Sequence, residues 1–392
     1  MEKISKRERT DAWILALFLA ESNVCSCIAS FVLLPNMSVI FLGGLCLVLL
    51  VSHKGRISVD KKCCISFFAV TCLLIISTVK NGLSNTQEYI FYFVVFGGIA
   101  LLLISNRVQY ELVFLNILKL YIVIIAIYFI RQRKSFLSSQ DYWSNQMGVA
   151  YGMVIPILFA FAFILFKKKL FFEYSKWYIL AALLIIITGL YIILFDCGTR
   201  GAIVTCVLGC GLVFIASTEK EKTMLLFISV VLLGIFILLQ MDNILGWAEL
   251  AFSDSKILAL RKLSQMISMD KVDNGRKILF DNAIEYFRSK PIFGNGIGYF
   301  EKRNNGIYVH EFFLELLCEY GAVGTFIFSV IVICFWLKVF TSRLHIEKIF
   351  ATILIGISST LLYSSSYWLL PSFWFSIFFV IKYRKKENIN ND

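Results

Sequence analysis

Apolar blocks of roughly 16–22 residues, each long enough to cross a bilayer as a helix, recur along this chain of 392 residues. Short charged stretches separate the blocks. Hydrophobic residues make up 59% of the sequence and charged residues only 16%, and one water-soluble core cannot hide such an excess. The sequence therefore predicts an all-α, polytopic integral membrane protein. It excludes a soluble enzyme, a disordered chain and an outer-membrane barrel.

The blocks predict about 12 transmembrane helices of about 20 residues. The predicted spans are Trp13–Leu34, Ser38–Val51, Cys63–Val79, Tyr89–Ile104, Glu111–Ile130, Gln146–Phe166, Trp177–Phe195, Gly201–Ser217, Thr223–Gln240, Tyr320–Phe340, Ile349–Tyr363 and Tyr367–Ile381. An even number of spans places both termini on the same side of the membrane.

The net charge of +12 has a topological explanation. Lysine and arginine concentrate at both ends of the chain and in the short loop Lys167–Lys169, as expected of cytoplasmic segments. We therefore expect a multi-pass protein of the cytoplasmic membrane with both termini in the cytoplasm, and no nucleic-acid partner. Nearly all of the 11 cysteines lie inside apolar blocks, which argues against disulfides and a cysteine-based zinc site.

One long polar segment divides the chain into a membrane domain at 1–240, an extracytoplasmic helical loop at 241–319 and a second membrane part at 320–392 that ends in a basic cytoplasmic tail. Apolar spacing predicts helices at Asp254–Ser268 and Arg276–Ser289, with Pro291 ending the second. The run 294–298 has the glycine spacing of a dinucleotide-binding loop, but a helix rather than a strand precedes it, which favours a turn.

Two arginines lie where an anion would bind. Arg200 sits in the turn Gly198-Thr199-Arg200-Gly201-Ala202 between two spans, and Arg276 opens a loop helix, where a basic residue opposes the helix dipole unless an anion binds there. A guanidinium suits a phosphate. The alternatives are a tight interhelical turn in which Arg200 pairs with Asp196, and a solvated Arg276.

Titratable residues follow at the end of the long segment. Helical spacing places Glu311, Glu315 and Glu319 on one stripe after His310, and His310 could serve as a base or bind a phosphate. The alternative is a solvated acidic face. Trp143 and Asn145, in an outer polar-aromatic loop, are candidate glycan contacts, as is Glu315. With His53 and His345 predicted on the other side of the membrane, we expect no metal site.

The ordered set of motifs resembles the O-antigen ligase and bacterial polysaccharide polymerase superfamily, whose members share a GT-C-like membrane fold. The resemblance covers about Trp177 to Phe340 and rests on the Gly-Thr-Arg-Gly-Ala turn, Gly275-Arg276, the 294–300 run, His310 with Phe313-Leu314-Glu315, and Gly321-Ala322-Val323-Gly324. Trp143-Ser144-Asn145 resembles a looser family feature.

The resemblance implies that Arg200 and Arg276 hold the diphosphate of a polyprenyl-diphosphate-linked oligosaccharide and that His310 is catalytic. The chain departs from the family pattern at Glu311, so that either His310 or Glu311 would be the base. The implied function is the polymerisation of repeat units on the outer face of the membrane. We expect this reaction to need no metal or other cofactor.

Partners implied by this reading are the lipid-linked oligosaccharide, membrane lipid, and a chain-length regulator and flippase of the same pathway. The alternatives are a ligase that transfers glycan to another acceptor, a flippase or transporter, and a non-catalytic scaffold. A transporter would show internal repeats and midplane charges, and the sequence has no evident repeat.

Overall fold

The computed structural model describes residues 5–29, 31, 37–55, 59–105, 108–135, 146–171, 174–217, 251, 255–268, 276–342 and 344–383. These residues form helices and turns with no strand among them. In chain order the helices are α1 (Lys6–Leu19), α2 (Glu21–Ala29), α3 (Met37–Ser52), α4 (Lys61–Asn81), α5 (Leu83–Ser105), α6 (Tyr110–Ser135), α7 (Gln146–Leu170), α8 (Trp177–Cys197), α9 (Arg200–Ala216), α10 (Leu258–Ser268), α11 (Arg276–Ser289), α12 (Tyr299–Arg303), α13 (Phe312–Phe340), α14 (Ile346–Ser358) and α15 (Pro371–Lys382). Turns of 3₁₀ helix lie at Ser359–Leu362 and Tyr367–Leu369.

Six of the described helices are long and apolar enough to cross a membrane, namely α4, α5, α6, α7, α8 and α13. The all-helical membrane architecture agrees with the prediction, whereas the count of 12 spans is not confirmed. Helices α3, α9 and α15 are apolar but shorter. The predicted span Thr223–Gln240 lies outside the described residues.

The first predicted span, Trp13–Leu34, is not one straight helix. It is divided at Ala20 into α1 and α2, which are bent by 77° relative to each other. The pair would count as a seventh span if it crosses the membrane as one unit. The polar run Glu21-Ser22-Asn23 begins α2 directly after the break, a signal that the prediction of one continuous span did not use.

Helix α7 lies at the centre of the bundle and packs against α8, α9 and α14. Glycines allow the close approach: a Cβ at Gly209 of α9 would lie 2.7 Å from Leu158 of α7, and one at Gly356 of α14 would lie 2.9 Å from the Cα of Gly209. Small residues at such crossings are typical of helices packed within a membrane.

Helix α13 is interrupted at Gly321, whose backbone is not helical (φ 67°, ψ −171°). The interruption frees backbone groups that the loop 291–298 satisfies. The amides of Asn295 and Gly296 donate to the carbonyls of Cys318 and Glu319, both at 2.8 Å, and the amide of Ala322 donates to Pro291 at 2.8 Å. The helix also begins at Phe312, eight residues before the predicted span Tyr320–Phe340.

The same loop is held from its other side by α4. Asn81 Nδ2 donates to the carbonyl of Ile297 at 2.9 Å, Lys80 Nζ donates to the carbonyl of Gly294 at 3.1 Å, and the amide of Ile297 donates to Ser77 Oγ at 3.1 Å. The prediction of a turn at 294–298 is confirmed, and the turn serves to join α4 to the interrupted α13.

Candidate functional site

The segment Tyr363–Ser366, which follows α14 and its 3₁₀ turn, collects side chains from distant parts of the chain. Arg276 Nη1 donates a hydrogen bond to the carbonyl of Tyr363. The hydroxyl of Tyr308 donates to the carbonyl of Ser364 at 3.2 Å. Carbonyl oxygens of one short segment therefore orient the loop helix α11 and the residues before α13.

Arg200 and Arg276 lie close enough to influence each other. Both are the first residues of their helices, α9 and α11, and both are half-buried. Burial, and then the positive charge of Arg276, lower the pKa of Arg200. Two cations placed together at helix N-termini, where backbone N–H groups also point outward, form an arrangement suited to an anion with two charges.

The turn before Arg200 depends on glycine. Gly198 has φ 61°, and a Cβ there would lie 2.9 Å from Leu258 of α10. At Gly201 a Cβ would overlap the hydroxyl of Tyr151 on α7. The turn can therefore pack directly against α7 and α10, which fixes the position of Arg200.

His310 precedes α13 in a left-handed backbone conformation, with φ 63°. Its ring lies against that of Tyr308, with centroids 4.0 Å apart. Burial and then the charge of Arg276 lower the pKa of His310, while a hydrogen bond with the backbone of Ser364 acts in the opposite direction. Among the described residues, Nδ1 of His310 is buried without a hydrogen-bond partner. A neutral imidazole with an available acceptor nitrogen is suited to accept a proton.

These three residues, Arg200, Arg276 and His310, are called here the arginine–histidine site. The sequence predicted all three, and the structure brings them together around Tyr363–Ser366. Sequence reasoning missed Tyr308, Tyr151 and the segment itself. This serine-rich stretch between two spans carried no recognisable motif, because it contacts Arg276 and Tyr308 through backbone carbonyls rather than through side chains.

The predicted stripe of glutamates requires a correction. Glu311 lies outside the helix as its N-cap, and its carboxylate accepts from the amides of Phe313 (3.2 Å) and Leu314 (2.6 Å). Both carboxylate oxygens of Glu311 are therefore engaged in capping the helix. To act as the base, as the sequence analysis also considered, Glu311 would have to give up at least one of these hydrogen bonds.

Glu315 and Glu319 do not form a solvated face, since they are 1% and 2% exposed. Glu315 Oε1 accepts from Ser366 Oγ at 2.5 Å, and Glu319 Oε2 accepts from the hydroxyl of Tyr367 at 2.5 Å. Glu315, predicted as a glycan contact, thus has its side chain turned into the protein.

Glu301 of α12 joins these two residues, and we call the three the carboxylate cluster. Glu301 is buried, and burial raises its pKa to about 7. One oxygen each of Glu315 and Glu319 and both of Glu301 are buried without partners among the described residues. The sequence pattern found the two members on α13 but missed Glu301, which reaches the cluster only through the fold.

The candidate glycan contacts Trp143 and Asn145 lie outside the described residues. Within the described part of the chain, no group of three or more His, Cys, Asp or Glu side chains has an arrangement that could hold a metal ion.

Comparison with known families identifies the region that contains the arginine–histidine site. Residues 181–329 match the family model described as O-Antigen ligase. The match confirms the predicted resemblance to the O-antigen ligase and polymerase superfamily over this region, and it includes Arg200, Arg276 and His310. It supports a membrane glycosyltransferase of the ligase or polymerase type. No curated protein matches the chain.

Proposed function

We propose that this chain is a membrane glycosyltransferase that polymerises polyprenyl-diphosphate-linked oligosaccharide repeat units into a surface polysaccharide. The observation that carries the proposal is the convergence of three elements on Tyr363–Ser366. Arg276 donates to the carbonyl of Tyr363, Tyr308 donates to the carbonyl of Ser364 and lies against the ring of His310, and a Cβ at Gly201, next to Arg200, would lie 3.2 Å from the ring of Tyr363. Arg200, Arg276 and His310 all belong to the region that matches the O-Antigen ligase family.

In this proposal, Arg200 and Arg276 bind the diphosphate of the lipid-linked donor. Each guanidinium has a fixed orientation because its helix begins at that residue and, for Arg276, because the carbonyl of Tyr363 accepts one of its N–H groups. The diphosphate gains negative charge as the bond between it and the sugar breaks. Two cations fixed in advance stabilise that charge more than the ground state.

His310 accepts the proton of the attacking hydroxyl. The new glycosidic C–O bond forms at the anomeric carbon, the bond from that carbon to the diphosphate oxygen breaks, and the lipid diphosphate leaves with the electron pair. Because the pKa of His310 is lowered, its imidazole is neutral at pH 7 and can accept this proton. The positive charge of Arg276 that lowers this pKa is the same charge that binds the donor.

The proposal places the enzyme in the cytoplasmic membrane with both termini in the cytoplasm and the site on the outer face. Repeat units would then reach the site after a flippase has moved them across the membrane, and a chain-length regulator would act on the product. The six apolar helices and the basic ends of the chain support this arrangement.

Product analysis with the purified chain tests the proposal. The substrate is the lipid-linked glycan fraction extracted from source cells in which this chain is disrupted, and the products are sized on a gel. A polymerase makes a ladder of repeat units from this fraction alone. A ligase forms a product only when an acceptor lipid is added, and transport of labelled lipid without any change in glycan length would indicate a flippase.

A further inference from the structure

Between the arginine–histidine site and the carboxylate cluster lies one short segment, Tyr363–Ser366. Its carbonyls at Tyr363 and Ser364 face the site, where they accept from Arg276 and Tyr308. Its last residue faces the cluster, where Ser366 Oγ donates to Glu315 Oε1 at 2.5 Å. The position of the segment is therefore shared by both groups.

Ser366 is held at two points. Its hydroxyl donates to Glu315 and, as the N-cap of the turn Tyr367–Leu369, accepts from the amide of Trp368 at 3.4 Å. Ser366 is 2% exposed. A buried hydroxyl that loses its acceptor leaves an unsatisfied donor, and the segment would shift to find another partner. Glu315 is the side chain that prevents this shift.

We propose that Glu315 is a positioning residue for the arginine–histidine site: through Ser366 it fixes the Tyr363–Ser366 segment, whose backbone carbonyls accept from Arg276 and from Tyr308, the residue whose ring lies against His310. The inference deepens the proposed function and rests on it only for the reaction, since the structural coupling from Glu315 to His310 can be measured without substrate.

His310 reports on the position of the segment. Its hydrogen bond with the Ser364 backbone favours the protonated imidazole, whereas burial and Arg276 favour the neutral form. The same segment holds Arg276 through the carbonyl of Tyr363. Displacing the segment therefore changes the surroundings of His310, and with them its pKa.

The charges that face each end of this coupling are distinct. Arg276 acts on His310. The titratable groups that interact with Glu315 come from its own helix and cap, from α12, from α5, from the loop before α13 and from the turn after Ser366, and they are Glu311, Cys318, Glu319, Tyr320, Glu301, Tyr89, Tyr308 and Tyr367.

The test follows the reaction of each histidine with diethyl pyrocarbonate as a function of pH, read by peptide mass spectrometry on the full chain in detergent. The reagent modifies neutral imidazole, so the midpoint gives the pKa of each histidine separately. In Glu315→Ala and Ser366→Ala the His310 midpoint should move by about one pH unit from that of the unmodified chain, a shift of the size that corresponds to one hydrogen bond to a charged group.

Matched variants distinguish a loss of the hydrogen bond between Glu315 and Ser366 from a general loss of structure. Glu315→Gln keeps an oxygen that accepts from Ser366, so its His310 midpoint should equal that of the unmodified chain. Glu301→Gln removes a carboxyl of the same cluster that has no hydrogen bond to the segment, and it should also leave the midpoint unchanged. His53, which is paired with Asp11 at 2.8 Å, is the internal control for folding.

A His310 midpoint that stays unchanged in Glu315→Ala and Ser366→Ala would overturn the proposal, as would a Glu315→Gln variant no different from Glu315→Ala. Turnover of the lipid-linked fraction is measured in parallel, with a loss of about tenfold expected for Glu315→Ala and near-normal turnover for Glu315→Gln. If the unmodified chain makes no product, the proposed function fails while the His310 titration still decides the positioning role.

Discussion

The arginine–histidine site and the carboxylate cluster lie at opposite ends of the same short segment, Tyr363–Ser366. The first gathers positively charged side chains, whereas the second gathers acidic side chains. The site holds two half-buried arginines close together, an arrangement that gains free energy when an anion binds. The cluster holds three buried carboxyl groups, and burial raises the pKa of Glu301, its member on α12, to about 7. The difference supports the proposal that the first region binds a ligand, whereas the second region stabilises the fold.

The arginine–histidine site should account for nearly all activity. His310→Ala removes the base and is expected to lower the rate by about 10²–10⁴-fold, while Arg200→Ala and Arg276→Ala remove the donor contacts. All three variants should abolish long-chain surface polysaccharide in cells while the protein still inserts in the membrane. Lys277→Ala, an exposed neighbour of Arg276, is the matched control. Normal chain-length ladders from the three variants would show that the arginine–histidine site is not needed for polymerisation.

A substitution that disrupts the packing of the loop 291–298 against α13 should lower the stability of the protein more than a substitution of any single side chain in the carboxylate cluster. Gly294 has φ 67°, and a Cβ there would overlap the backbone of Glu319. Gly294→Ala should therefore cost about 2–5 kcal/mol, the sum of left-handed strain and overpacking. Gly306→Ala, with φ 80° and open space around it, should cost only about 1–2 kcal/mol for the strain.

Thermal unfolding in detergent measures both variants. Equal losses of stability in Gly294→Ala and Gly306→Ala would show that the loop 291–298 is not packed against the interrupted α13 as described.

The carboxylate cluster should make stability depend on pH. The pKa of Glu301 is raised by burial from 4.5 to about 7, so the folded protein keeps a proton that the unfolded chain loses. This contribution is complete below about pH 4.5 and is lost as the pH rises towards about 7, by up to about 1.4 kcal/mol per pH unit. Glu301→Gln should flatten this part of the curve, and an unchanged slope would show that Glu301 is ionised in the fold.

The smallest expected effect concerns a single hydrogen bond at the boundary of the two regions. Tyr308→Phe removes the donor to the Ser364 carbonyl but keeps the ring that lies against His310. The loss should be about 1 kcal/mol, seen as a turnover several-fold lower. Tyr299→Phe serves as a comparison variant, since the ring of Tyr299 packs on Tyr286 in the same part of the chain. An equal loss of turnover in Tyr299→Phe would show that the hydrogen bond to Ser364 does not contribute to activity.

Much of the site could be predicted from the sequence because arginine at a helix start and histidine before a span are local patterns. The helix Arg276–Ser289 and its end before Pro291 were predicted with the correct bounds. Glu315 was predicted as a glycan contact and is buried, because an i, i+4 stripe gives the spacing of side chains but not the side of the helix that is covered.

The break in α13 could not be predicted for a related reason. An apolar run has the same composition whether its helix is straight or interrupted. The interruption at Gly321 becomes favourable only when the loop 291–298 supplies hydrogen-bond partners, and that pairing depends on the tertiary structure.

Binding of a lipid diphosphate tests the central claim most directly. The dissociation constants of polyprenyl diphosphate and polyprenyl monophosphate are measured on the purified chain and on Arg200→Ala and Arg276→Ala. If Arg200 and Arg276 hold the diphosphate, the unmodified chain binds the diphosphate at least about tenfold more tightly than the monophosphate, a difference of about 1.4 kcal/mol, and either substitution removes this preference. Equal affinity for the two lipids, or a preference that survives both substitutions, would contradict this role of the two arginines.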